Sequence, residues 1–122
     1  RVASRGLGDV YKRQDRIEIF WAKDKKNWDL GKINNLFKNK QVYITFDVDS
    51  FDASVMPATG TPEPGGLFWD DVLPIIKMIC KISNIVGADI NELAPIKKFD
   101  SYNFLVAKLA YKILAYSFEF KR

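Results

Sequence analysis

Apolar and polar positions along this chain switch between a period of two and a period of about 3.6. Residues 16–21 (RIEIFW) place Ile17, Ile19 and Trp21 on one face and predict a strand. In residues 30–38, Ile33, Leu36 and Phe37 recur at helical spacing, and Asp29 is placed to cap the first turn. Residues 41–46 (QVYITF) are β-branched and aromatic, as in a buried strand. Residues 52–67 hold three prolines and three glycines and predict an irregular loop. A helix is expected over 69–83 with Val72, Ile75, Ile76 and Ile79 inward, and Pro74 in or near its first turn, where a missing N–H does least harm. Residues 84–90 predict a second buried strand. Residues 101–118 predict a long helix with Leu105, Leu109, Ile113 and Tyr116 on one stripe, capped by Asp100 or Ser101.

The order β-α-β-loop-α-β-α implies an α/β fold, a parallel sheet with helices on its faces. In such sheets ligands gather at the carboxyl ends of the strands. Residues 1–14 (RVASRGLGDVYKRQ) show no period and no partner in the rest of the chain. They resemble translated adaptor strings and are set apart as a foreign or disordered tail, leaving 15–122 as the folded part.

Composition narrows the classes. Of 122 residues, 48% are hydrophobic, too many for a disordered chain. The net charge of +4 owes most to Arg1, Arg5, Lys12 and Arg13 in the set-apart tail, so the remainder has no basic stripe of the kind that nucleic acid needs. No apolar run approaches the roughly 20 residues of a membrane span. The single cysteine, Cys80, sits in an apolar run and points to a reducing, cytoplasmic setting. There is no histidine, which excludes a self-contained Ser-His-Asp or Cys-His machine and any His-ligated metal site.

Candidate chemistry lies at the strand ends. Asp47 and Asp49, two apart at the end of an apolar strand, are expected on one face. Two such carboxylates need a raised pKa, a cation or a metal. No Lys or Arg occurs in the ten residues after Asp49, which favours a hard divalent ion. The alternative is a pair that caps the following loop by accepting backbone N–H groups. Asp52 is either a third ligand or a turn residue. The loop 57–66 (PATGTPEPGG) combines glycines that allow close backbone approach with prolines that stiffen it, as a preorganised site requires. Residues 89–92 (DINE) end the second strand, where Glu92 is either a solvated cap or a carboxylate that can grip a cation such as a guanidinium through two N–H bonds.

Taken together, FDVDSFDASVMPATGTPEPGGL and ADINELAP resemble the ureohydrolase (arginase/agmatinase) family, over roughly the last two thirds of the chain. The resemblance implies a three-layer α/β/α sandwich, of which this chain is the C-terminal part. It implies a site with two Mn²⁺ ions, Asp47 bridging both and Asp49 binding one. Glu92 would hold the substrate guanidinium, Thr61 would line the pocket, and Asp52 and Asp89 would support the ligands from behind. A bridging hydroxide would attack the guanidinium carbon and release urea. NELAP is closer to the agmatinase form than to the ENP of arginases, so agmatine, giving putrescine and urea in polyamine metabolism, is the expected substrate. Arginine or another guanidino acid is the alternative, and a degenerate homologue acting as an interaction module is the reading of another class. The expected partners are a small guanidino substrate and, at full length, further copies in a homo-oligomer, with neither nucleic acid nor membrane.

This chain departs from the family pattern in two respects. The family's histidine ligands and Asp-x-His-x-x-x-Asp segment are absent, leaving two of the usual six protein ligands, so the fragment alone is expected to be inactive. Phe68 also stands where a capping Thr or Ser is common. A DxD glycosyltransferase accounts for Asp47 and Asp49 but leaves the loop and Glu92 unexplained.

Overall fold

A computed structural model describes Val2–Ala3 and residues 17–121. The elements in chain order are β1 (Val2–Ala3), β2 (Phe20–Trp21), a 3-10 turn (Ala22–Asn27), α1 (Leu30–Phe37), β3 (Gln41–Asp47), a 3-10 turn (Val48–Ser50), α2 (Trp69–Ile82), β4 (Asn84–Asn91) and α3 (Asp100–Glu119). The alternation of strand and helix is as expected.

β3 and β4 pair in parallel through α2, from Gln41 against Asn84 to Asp47 against Asn91, with an irregularity between Val42 and Tyr43. Tyr43 explains Gly87 at this point: a Cβ on residue 87 would lie 2.6 Å from the Tyr43 ring. One face of the pair carries Ile44, Phe46 and Ile90 into the core, where Val72, Ile76 and Cys80 of α2 and Leu109 and Ile113 of α3 are buried. The α3 stripe is as expected, with Leu105 and Tyr116 packed against this core. Of the α2 stripe Val72 and Ile76 are buried, while Ile75 and Ile79 are only half-buried outside the core cluster and Leu73 and Cys80 pack there instead. On the other face Tyr43 and Thr45 are exposed. The strands are covered on one side among the described residues, rather than buried on both as their apolar composition suggested.

Three local expectations change. The strand expected over 16–21 is only Phe20–Trp21, with residues 17–19 irregular and Arg16 outside the described residues. It pairs with Val2–Ala3 in parallel, so the segment set apart as 1–14 has a partner at its start, while residues 4–14 lie outside the described residues. Neither Asp100 nor Ser101 caps α3: the N-cap is Phe99, with no side-chain hydrogen bond, and Asp100 is the first helical residue. By contrast Asp29 caps α1 as expected, accepting the Lys32 N–H at 2.9 Å.

Candidate metal centre

The site is built where β3 ends. Phe46 and Val48 turn into the core, Val48 being fully buried, and the strand tightens at once into the 3-10 turn Val48–Ser50. That turn, rather than strand alternation, brings Asp49 back beside Asp47. The two carboxyls lie within hydrogen-bonding reach of each other, and Asp47 also accepts the Asp49 backbone N–H. Burial first, and then the Asp49 charge, push the Asp47 carboxyl above the usual Asp value; the Asp49 N–H pulls the other way, and Glu92 adds a smaller push. Asp47 Oδ1 is buried and finds no hydrogen-bond donor among the described residues. Thr61 Oγ1 donates to Asp49 Oδ2 at 3.2 Å, tying the loop to the acidic pair.

Glu92 follows β4 directly, next to the strand that ends in Asp47, and is exposed. Its φ of 68° is left-handed, a conformation that disfavours a side chain. The turn is held from behind by Ala94, whose N–H donates to the Ala58 carbonyl at 2.8 Å, so the Glu92 segment and the loop are hydrogen-bonded to each other. Asp89 sits farther from the strand end, paired with Thr45. It accepts from Asn91 Nδ2 at 2.6 Å and from the Tyr43 hydroxyl, whose pKa the bond and the Asp89 charge raise. The structure thus groups Asp47, Asp49, Thr61 and Glu92, and points Asp89 to Tyr43 and Asn91.

Asp52 closes the loop. Its Oδ1 accepts the Ser54 N–H at 2.9 Å and the Ser54 hydroxyl, and its Oδ2 accepts the Gly65 N–H at 2.7 Å. These bonds, the Ser54 hydroxyl foremost, pull its pKa down to about 2. The two ends of the loop are stitched by Asp52 N–H to the Leu67 carbonyl and Leu67 N–H to the Ser50 carbonyl, both 2.9 Å. Gly66 lies so close to Phe51 that a Cβ would meet the Phe51 carbonyl carbon at 2.5 Å. No motif reading identified this contact, although the doubled glycine at 65–66 is its trace in the sequence.

Among the described residues, no three or more of His, Cys, Asp and Glu are grouped so that they could hold a metal. Asp47 and Asp49 still fit part of a hard-cation site: oxygen donors only, with one buried oxygen unpartnered and the two charges repelling.

Comparison with known proteins gives this arrangement its class. The family model described as "Arginase family" matches residues 3–116, and the chain belongs to that family. It is similar to an N(1)-aminopropylagmatine ureohydrolase of Synechocystis, 39% identical over 113 residues, which cover 90% of this chain and 37% of that protein. An agmatinase of Blochmanniella floridana is 46% identical over 67 residues, 55% of this chain and 22% of the relative. The solved agmatine ureohydrolase of Thermoplasma volcanium superposes with a TM-score of 0.76 at 28% identity, over 95% of this chain and 41% of its own. The fold is the α/β fold of arginases and agmatinases, and the chain spans well under half the length of these relatives.

Proposed function

We propose that this chain forms one wall of a manganese-dependent ureohydrolase site, and that the whole enzyme cleaves a guanidino C–N bond to release urea. One observation carries the proposal: Asp47 keeps a buried, unpartnered oxygen beside a second carboxylate at a strand end, with Glu92 at the end of the neighbouring strand. Asp47 and Asp49 would hold manganese. When bound, the metal supplies a Lewis acid and a water of lowered pKa.

The other roles belong to the chain's own groups. Thr61, held on Asp49, fixes that carboxylate and lines the pocket. Glu92 receives the substrate guanidinium through charge-assisted N–H bonds. Its left-handed backbone is the kind of local strain that a functional site retains. Asp52 holds the loop in place from behind. The names of the relatives support an agmatine-type substrate, agmatine itself or its N-aminopropyl derivative, over arginine or another guanidino acid.

The test is urea release. The chain alone, with manganese, should give no urea from agmatine above a metal-only blank, since it supplies two ligands. Joined to the remaining segment of an agmatinase-type relative, it should release urea from agmatine or aminopropylagmatine and far less from arginine. A folded, manganese-loaded fusion that releases urea from no guanidine overturns the proposal.

A further inference from the structure

We propose that Lys25 is a positioning residue for the loop that carries Thr61, acting through Asp71, Phe68 and the Gly66 carbonyl. The N-terminus of α2 is poorly supplied for capping. Its N-cap is Phe68, whose side chain has no acceptor for the free N–H groups of the first turn. Asp71 supplies one half of a capping arrangement by accepting the Phe68 N–H at 2.8 Å. Lys25, more than forty residues earlier, adds no acceptor of its own but donates to the Asp71 carboxylate that does the accepting, and to the Gly66 carbonyl. Its Nζ lies 2.6 Å from Asp71 Oδ2 and 3.2 Å from the Gly66 carbonyl oxygen. It also stands 4.5 Å from the centre of the Phe68 ring, within cation–π range. One ammonium thus engages the last residue of the stiff loop, the N-cap and the first turn of α2.

The clamp stands on a fixed base. Ala22, in the same 3-10 turn as Lys25, is 2% exposed, and Trp28 Nε1 bonds the Trp21 carbonyl at 2.9 Å across that turn. The Lys25 side chain is only 21% exposed, unlike a lysine free in solvent. From Gly66 the connection to the acidic pair is short. Gly66 packs on the Phe51 backbone, and Leu67 pairs with Ser50, which shares its turn with Asp49. Thr61 bonds Asp49 from the far part of the same loop. Without Lys25 the closing end of the loop loses its outer anchor, while Asp71 still favours the helix N-terminus. Lys25 therefore acts on loop order more than on the stability of the sheet. The inference rests on the proposed function only for the task it gives Thr61.

Hydrogen–deuterium exchange of the 122-residue chain, without metal, tests the assignment. In Lys25→Met, which keeps much of the apolar stem, the Gly65 and Leu67 amides should exchange about tenfold faster, the scale of one lost charge-assisted contact. Strand amides such as those of Ile44 and Ile90 should stay at the parent rate. Lys25→Arg, which keeps the charge, should hold the loop amides near the parent rate. Loop and strand amides speeding up together, as for a general stability role or an unfolded variant, would overturn the assignment. So would loop amides that do not respond, or Lys25→Arg behaving as Lys25→Met does. None of these readings uses metal or urea, so a failed urea assay leaves the Lys25 result to stand or fall separately.

Discussion

Asp47 and Asp52 lie five residues apart on one short stretch, and their surroundings are opposite. Both oxygens of Asp52 accept hydrogen bonds from Ser54 and Gly65, and its pKa falls to about 2. Asp47 faces another carboxyl, keeps a buried oxygen without a donor among the described residues, and has its pKa raised. Burial without partners costs stability, and a chain keeps such a group where something outside it completes the bonding. The contrast separates a carboxylate that serves the fold from one that, under the proposed function, would serve a ligand.

The largest expected effect breaks the first side of this contrast. Gly66→Ala forces a methyl group into the Phe51 backbone and should cost about 3 kcal/mol, the upper end of what overpacking costs. Urea-denaturation midpoints measure it. A loss below about 1 kcal/mol would mean that the loop end moves freely and that Asp52 is not held as described.

The next effect is in pH. The folded value of Asp52 lies below its unfolded value, so its stabilisation is complete above about pH 4 and is lost as pH falls towards 2. The protection factors of the Gly65 and Ser54 amides, measured against the intrinsic exchange rate at each pH, should fall across that window. Asp52→Asn should show raised exchange at neutral pH and no further acid-dependent step from this group. Equal acid sensitivity in parent and variant would remove Asp52 from the loop's closure.

Asp47→Asn should move the other way. Replacing a repelled carboxylate by an amide of the same shape should stabilise the metal-free chain, read as a rise in Tm. A clear fall in Tm would show that the Asp47 charge supports the fold. The smallest effect is at Glu92. Glu92→Gly removes the left-handed strain at φ 68° but loosens the unfolded chain, for a net gain of about 0.5 kcal/mol in the denaturation midpoint.

Much of the fold was legible because hydrophobic period reports burial. Val72, Ile76, Leu109 and Ile113 were placed inward by spacing alone, and the structure buries all four. The strand over 16–21 was overestimated because Ile17 and Ile19 alternate without a neighbouring strand to pair with among the described residues. The cap of α3 was misplaced by the usual preference for Asp and Ser, where the structure begins the helix after Phe99. At the site, the spacing of Asp47 and Asp49 gave their convergence but not its cause, the 3-10 turn. Lys25 was invisible as a site-supporting residue because its contacts lie across the fold at the Gly66–Asp71 junction, which no local pattern records, and for Gly66 the sequence showed a glycine-rich loop but not the Phe51 backbone it packs on.

The most direct test of the contrast uses Mn²⁺ as a paramagnetic probe of the amide NMR spectrum, which reports weak binding as well as tight. Added in substoichiometric amounts to the parent chain, Mn²⁺ should first broaden the signals of Val48, Asp49, Thr61 and Glu92. Asp52→Asn should leave Mn²⁺ broadening at Val48 and Asp49, and Asp47→Asn should abolish it. Broadening that survives Asp47→Asn, or that centres on other acidic groups such as Glu18 and Asp24, would contradict the account.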